Sequence, residues 1–161
     1  MSINNIKCLS VNPHFDALLM QSFLTGYKKE CDLPVAFLVF PVLYYADSRS
    51  KLGNANITSR LDTLFPNGQD VTDEVKSTGK ARFAGFIQRY NALKGNCRDA
   101  ILVLFSESKL LVKNNNLLLK DQIDYSNYSG KVKDWLRCAY YLGIIFSKYT
   151  KNQILYYIGV Q

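Results

Sequence analysis

Residues 97–120 read CRDAILVLFSESKLLVKNNNLLLK, and the period of the apolar residues changes halfway along this stretch. Ala100, Ile101, Leu104 and Phe105 recur at helical spacing, so residues 97–108 read as a helix that is apolar nearly all round. Beyond them, Leu110–Lys113 and residues 117–120 read as two short strands joined by three asparagines. Asparagine tolerates the left-handed backbone that a tight hairpin turn requires. A helix, a second helix and a hairpin in this order have the layout of a winged helix-turn-helix.

Upstream, residues 73–92 read as a long helix ended by Gly95-Asn96, with Phe83, Phe86, Ile87, Tyr90 and Leu93 as its buried stripe. Arg82 and Arg89, two turns apart, fall on its outer face. Residues 57–59 lead into a short helix with Leu61, Leu64 and Phe65 apolar, stopped at Pro66. Residues 48–56 read as a polar loop. Before it, DLPVAFLVFPVLYYA (32–46) is apolar on nearly every face. Asp32 and Pro34 suit a helix start, and Pro41 removes a hydrogen bond to Phe37, so a kinked helix is expected; a buried strand ending at Phe40 is the competing reading. Asn12-Pro13 opens the first helix, as N-cap and first helical residue, with Phe15, Leu18, Leu19, Phe23 and Tyr27 on its apolar side.

Downstream, residues 121–130 read as a polar loop and 131–149 as the last helix, with Trp135, Ala139, Leu142, Phe146 and Tyr149 at heptad-like spacing. QILYYIGV (153–160) reads as a short strand that would join the hairpin. The expected fold class is α+β, mainly helical, with about five to six helices, a winged-helix-like hairpin and a short C-terminal strand. The 161 residues fit one domain, 1–161.

Composition bounds the chemistry. Hydrophobic residues make up 48% and charged residues 20%, which is globular rather than disordered. Eleven tyrosines and nine phenylalanines give large contact area, suited either to partner surfaces or to an aromatic core. The formal charge of +7 is scattered, with Lys28-Lys29 the longest basic run, which is the pattern of a solvated surface more than of a DNA footprint. Cys8, Cys31, Cys97 and Cys138 form no CxxC pair, so neither zinc nor a disulfide framework is expected, and Cys138 reads as a buried small hydrophobe. The single histidine, His14, lies in the first helical turn with no nucleophile marked for it. There is no GxSxG, Walker A or GxGxxG sequence. No catalytic residue, cofactor or metal is therefore expected, and with no apolar leader or spanning segment the expected location is the cytoplasm.

Four blocks carry a resemblance. NPHFDALLMQSFLTGY (12–27), DLPVAFLVFPVLYYADSRSKL (32–52), KARFAGFIQRYNALKGNCRDAILVLFSESKLLVKNNNLLL (80–119) and AYYLGIIFSKYTKNQILYYIGV (139–160) resemble the middle component of bacterial three-component ABC-ATPase systems. These include the Lamassu type of anti-phage and anti-plasmid defence. Pro34, Pro41, Gly143, Gly159 and Val160 stand where that pattern has them, whereas Gly53 and Asn54 replace a proline usual in the loop at 50–57. The resemblance implies a non-catalytic scaffold subunit linking an SMC-like ABC ATPase to an effector, often a nuclease. Leu33, Pro34, Phe37, Phe40 and Tyr44, with Arg82 and Arg89 and the hairpin, are candidate partner contacts; core packing, a solvated helix face and plain sheet packing are the respective alternatives. Lys109, Lys113 and Lys120 could give such a complex non-specific DNA phosphate contacts. The competing functions are a free-standing winged-helix DNA-binding regulator, disfavoured by the apolar helix 97–108, and an immunity protein masking an acidic enzyme.

Overall fold

The computed structural model describes residues 12–64 and 85–158. Helix α1 (Pro13–Tyr27) begins as its sequence requires: the Asn12 side chain accepts from the N–H groups of His14 and Phe15, at 3.1 and 3.3 Å. It ends at Lys28, whose left-handed backbone (φ 64°) lets its N–H reach the Leu24 carbonyl at 3.2 Å. From Asp16 to Tyr27 nearly every side chain of α1 is buried, so this helix is the axis of the fold.

Its main neighbour is α7 (Gly130–Ser147), and two glycines bring the backbones together. A Cβ on Gly26 would overlap the Tyr140 carbonyl, and one on Gly143 would overlap the Phe23 carbonyl and lie 2.8 Å from the Tyr27 nitrogen. Ser22 donates from Oγ to the Leu136 carbonyl at 2.7 Å across the same seam, and Phe23 meets Phe146 edge to face at 5.9 Å.

The apolar block divides into α2 (Leu33–Ala36) and α3 (Val39–Leu43), a helix broken at Phe37-Leu38. Pro41 has no N–H for the Phe37 carbonyl, and the Cys97 thiol lies 3.9 Å from that oxygen. The expected loop at 48–56 is helical over its first part, residues 48–52, which belong to α4 (Ala46–Leu52): Ser48 and Leu52, one turn apart, face inward, and a stripe of two residues is too short to show as a period. Helix α5 (Leu61–Leu64) is the short helix the sequence suggests, fixed by the Leu61 N–H donating to the Tyr149 hydroxyl at 3.0 Å. The expected helical residues 73–84, with Arg82 and Phe83, lie outside the described residues.

Helix α6 (Phe86–Ser106) runs through Gly95-Asn96, where a break was expected. Glycine inside a helix costs only about 1 kcal/mol. Buried Cys97, Ala100, Ile101 and Leu104 on one side and Phe86 on the other hold the turns together. The residues 97–108 therefore do not form a separate helix. Strands β2 (Leu110–Lys113) and β3 (Asn116–Leu119) form the hairpin, with Asn114 and Asn115 at φ 52° and 62° as a two-residue turn. Positive φ at both positions is the type I′ pattern that matches strand twist.

The third strand is β1 (Cys31–Asp32), antiparallel to β3 with Cys31 opposite Leu117, giving the order β1-β3-β2. The expected C-terminal strand is instead helix α8 (Lys151–Ile158), which buries Ile154 and Ile158 one turn apart. Thr150 and Gln153 close its start: the Gln153 N–H donates to Thr150 Oγ1 at 3.2 Å, and Gln153 Oε1 accepts from the Thr150 N–H at 2.8 Å. The architecture is α+β and mainly helical, with one apolar core shared by α1, α3, α6 and α7.

Candidate partner-binding surface

The block 33–45 is chiefly an internal surface. Phe40 is fully enclosed, so its contribution is to the core and not to a partner in this conformation. Leu33, Phe37 and Tyr44 are half-buried, and Pro34 is exposed at the start of α2. Tyr44 turns its hydroxyl inward, donating to the Asp16 carboxylate, which also accepts from Asn96 Nδ2 at 3.2 Å. Burial pushes the Asp16 carboxyl above its ordinary value, and these two hydrogen bonds only partly offset that shift. The Tyr44 hydroxyl is itself pushed up, mainly by burial and then by its bond to Asp16. One buried carboxylate thus ties α1, the end of α3 and the middle of α6 together.

Arg89 does not stand on an outward face. Its guanidinium stacks over the Tyr45 ring at 4.1 Å, and its Nε donates to the Pro41 carbonyl at 3.2 Å. These contacts clamp α6 onto α3. Arg82 lies outside the described residues. Ile87, expected in the buried stripe, faces solvent at 63% exposure.

The apolar surface left open lies at the other end of α6. Leu102 and Phe105, one turn apart, are 55% and 53% exposed. On the hairpin Leu111 and Leu118, cross-strand partners, are each 41% exposed, and Val112 is 47% exposed. Strand alternation puts Lys109 and Lys113 on the Leu111 face of β2, and Asn116 and Lys120 on the Leu118 face of β3. The three candidate lysines therefore share one face of the hairpin with the leucine pair between them. Lys109 is engaged by Glu107 at 2.9 Å; for Lys113 and Lys120 there is no ion pair among the described residues. Sequence reasoning selected the lysines and named the hairpin as a contact region without singling out Leu111 and Leu118, and it passed over Leu102 and Phe105. The signal for the last two was present: a helix apolar all round cannot bury every face against one core.

An open cleft of about 460 Å³ lies between α4 and α7, lined in part by Arg49, Lys131, Asp134, Trp135, Arg137 and Cys138. Its arginines are occupied with the fold. Arg49 covers the Trp135 ring at 4.2 Å and donates to the Leu43 carbonyl at 3.0 Å, and Arg137 donates to the carbonyls of Gly53 and Ala55 at 2.6 and 2.9 Å. The Cys138 thiol is pushed up by burial, as are those of Cys31 and Cys97, both to about 12, so these three stay protonated at neutral pH. Among the described residues no group of three or more His, Cys, Asp or Glu side chains could hold a metal ion, and no helix is long and apolar enough to cross a membrane.

Searches of curated proteins and of solved structures gave no significant match. The family model described as ABC-three component (ABC-3C) system Middle Component 3 matches residues 2–161. With that match spanning nearly the whole sequence, the chain belongs to the middle component 3 family of ABC-three component systems.

Proposed function

We propose that this chain works as a non-catalytic, cytoplasmic scaffold subunit, a single domain that links an SMC-like ABC ATPase to a nuclease effector in Lamassu-type bacterial defence against phage or plasmids. Family membership supplies the accessory role in a multi-component system. The observation that carries the scaffold reading is the open apolar surface at the C-terminal end of α6 and on the hairpin. Leu102, Phe105, Leu111, Val112 and Leu118 leave water only when something covers them, and that burial favours association. Leu33, Pro34 and Phe37, exposed or half-buried beside β1, are a second contact region in this reading.

A free-standing winged-helix regulator is less well supported. Its pair of helices before the wing would need a boundary at Gly95-Asn96, where α6 is continuous. The last two turns of α6, next to the hairpin, present Leu102 and Phe105 to solvent in place of side chains that would reach base edges. DNA contact by the assembled complex would fall to Lys113 and Lys120, with Lys109 already neutralised by Glu107, and would weaken steeply with salt.

The test is affinity purification of the tagged chain from its native host, with nuclease added and salt varied. A coiled-coil ATPase that stays bound in nuclease-treated, high-salt samples supports the reading. Recovery of DNA alone, lost as salt rises, contradicts it.

A further inference from the structure

The sheet order β1-β3-β2 leaves β2 at an edge. Its hydrogen-bonding parity follows from the hairpin. The pairs Lys113/Asn116 and Leu111/Leu118 flank a two-residue turn and exchange N–H and C=O groups across the hairpin, and Lys120 donates to the Lys109 carbonyl at 2.8 Å in the same register. Val112 lies between them, so its N–H and C=O point away from β3, to the side where no strand lies among the described residues. Leu110, with the same parity, is buried, whereas Val112 is 47% exposed. Leu111, 41% exposed on the opposite face, means that the edge at this point is apolar above and below. Edge strands that resist pairing place charges or proline at such positions.

We propose that the β2 edge at Val112 receives an extended segment of a partner subunit, one that carries apolar side chains for Leu111 and Leu118 and carboxylates for Lys113 and Lys120. The inference rests on the scaffold reading and names the way in which one partner docks. A backbone N–H and C=O that point outward with no strand partner among the described residues select a strand over a helix, because only an extended chain returns both bonds. Charge selects the partner's chemistry. Lys113 and Lys120 bracket the leucine pair without an ion pair among the described residues, on a chain of formal charge +7. A second copy is a poor occupant: antiparallel pairing of β2 with itself about Leu111 sets Lys109 opposite Lys113 in both halves, a like-charge arrangement. Duplex DNA is also a poor fit, because its phosphates use neither the leucine pair nor an edge carbonyl.

The test measures amide exchange at residues 110–113 in the free chain and in the nuclease-treated complex made by co-expressing the three components. Val112 exchange slower by about 10-fold or more in the complex is the expected result. Val112→Pro removes only an outward N–H, which an edge strand tolerates, and should weaken assembly by about 10-fold with the fold intact by circular dichroism. Lys113→Glu with Lys120→Glu, which touches no backbone bond, should do the same and covers the case in which the proline variant misfolds. A complex that assembles with Val112 exchanging as in the free chain overturns the edge proposal and leaves the scaffold reading standing. Failure of the three components to assemble overturns both. Slowing in the free chain that grows with concentration, alongside a dimer in sedimentation, assigns the edge to a second copy; slowing on addition of a mixed-sequence DNA duplex assigns it to nucleic acid. Either outcome overturns the proposal.

Discussion

The seam between α1 and α7 and the tip formed by α6 with its hairpin are both rich in apolar residues, yet they are built in opposite ways. At the seam Gly26 and Gly143 remove every side-chain atom between two backbones, and Phe23, Leu136 and Phe146 fill the rest with almost no exposed area. At the tip, Leu102, Phe105, Leu111, Val112 and Leu118 carry apolar area of the same kind into solvent. The seam is complete within one chain and leaves nothing for a partner to add. The tip is left open, and the scaffold role proposed above would give that open surface a use. Amount of apolar sequence does not separate a core from an interface; coverage does.

Substitutions at the seam should have the largest effects. Gly143→Ala or Gly26→Ala would drive a methyl into a helix backbone that cannot yield, so chemical denaturation should show a loss of roughly 3 kcal/mol or more. A loss below about 1 kcal/mol would mean that the two helices are not in such close contact. Next comes the buried carboxylate beside the seam. Tyr44→Phe withdraws a hydrogen bond from Asp16 and should cost about 1–3 kcal/mol by the same measurement.

Asp16 also gives a pH dependence of known sign. Its folded pKa lies above the ordinary 3.8, so the native state holds this proton more tightly than the unfolded chain does. The group's contribution to stability is therefore fully present below pH 3.8 and is lost as pH rises through the raised folded value. Asp16→Asn should gain on the wild type across that window, and denaturation midpoints that move in parallel with pH would count against a buried, ionising Asp16. The smallest effect belongs to the tip: Leu102→Ser with Phe105→Ser should change the free chain's stability by only about 0.5 kcal/mol, because both side chains already meet water.

How legible these two regions were depends on how far apart the interacting residues stand. The first helix was readable because Asn12 and Pro13 act on their immediate neighbours, and the hairpin because a run of asparagines supplies positive φ; only its turn was one residue shorter than the three-asparagine reading. The break at Phe37-Leu38 was foreshadowed by Pro41. Strand β1 was invisible, since two residues carry no period and their pairing with Asn116 and Leu117 is set by tertiary position. Helix α8 was missed despite a local sign, the Thr150-to-Gln153 capping box, because QILYYI also suits a strand by composition. The block 33–45 looked as good an interface as a core, and only packing could place Phe40 inside and Pro34 outside. Arg89 was assigned outward from helical spacing alone, with no way to know that Tyr45 and the Pro41 carbonyl would draw it inward.

The most direct measurement compares the affinity of the wild-type chain and the Leu102→Ser/Phe105→Ser variant for the ABC ATPase subunit and for the effector, each purified separately, in nuclease-treated samples. If the tip is the incomplete surface, at least one of the two partners binds the variant about 10-fold or more weakly while its melting temperature stays that of the wild type. Unchanged affinity for both partners, with the fold intact, would contradict the assignment of this surface to assembly.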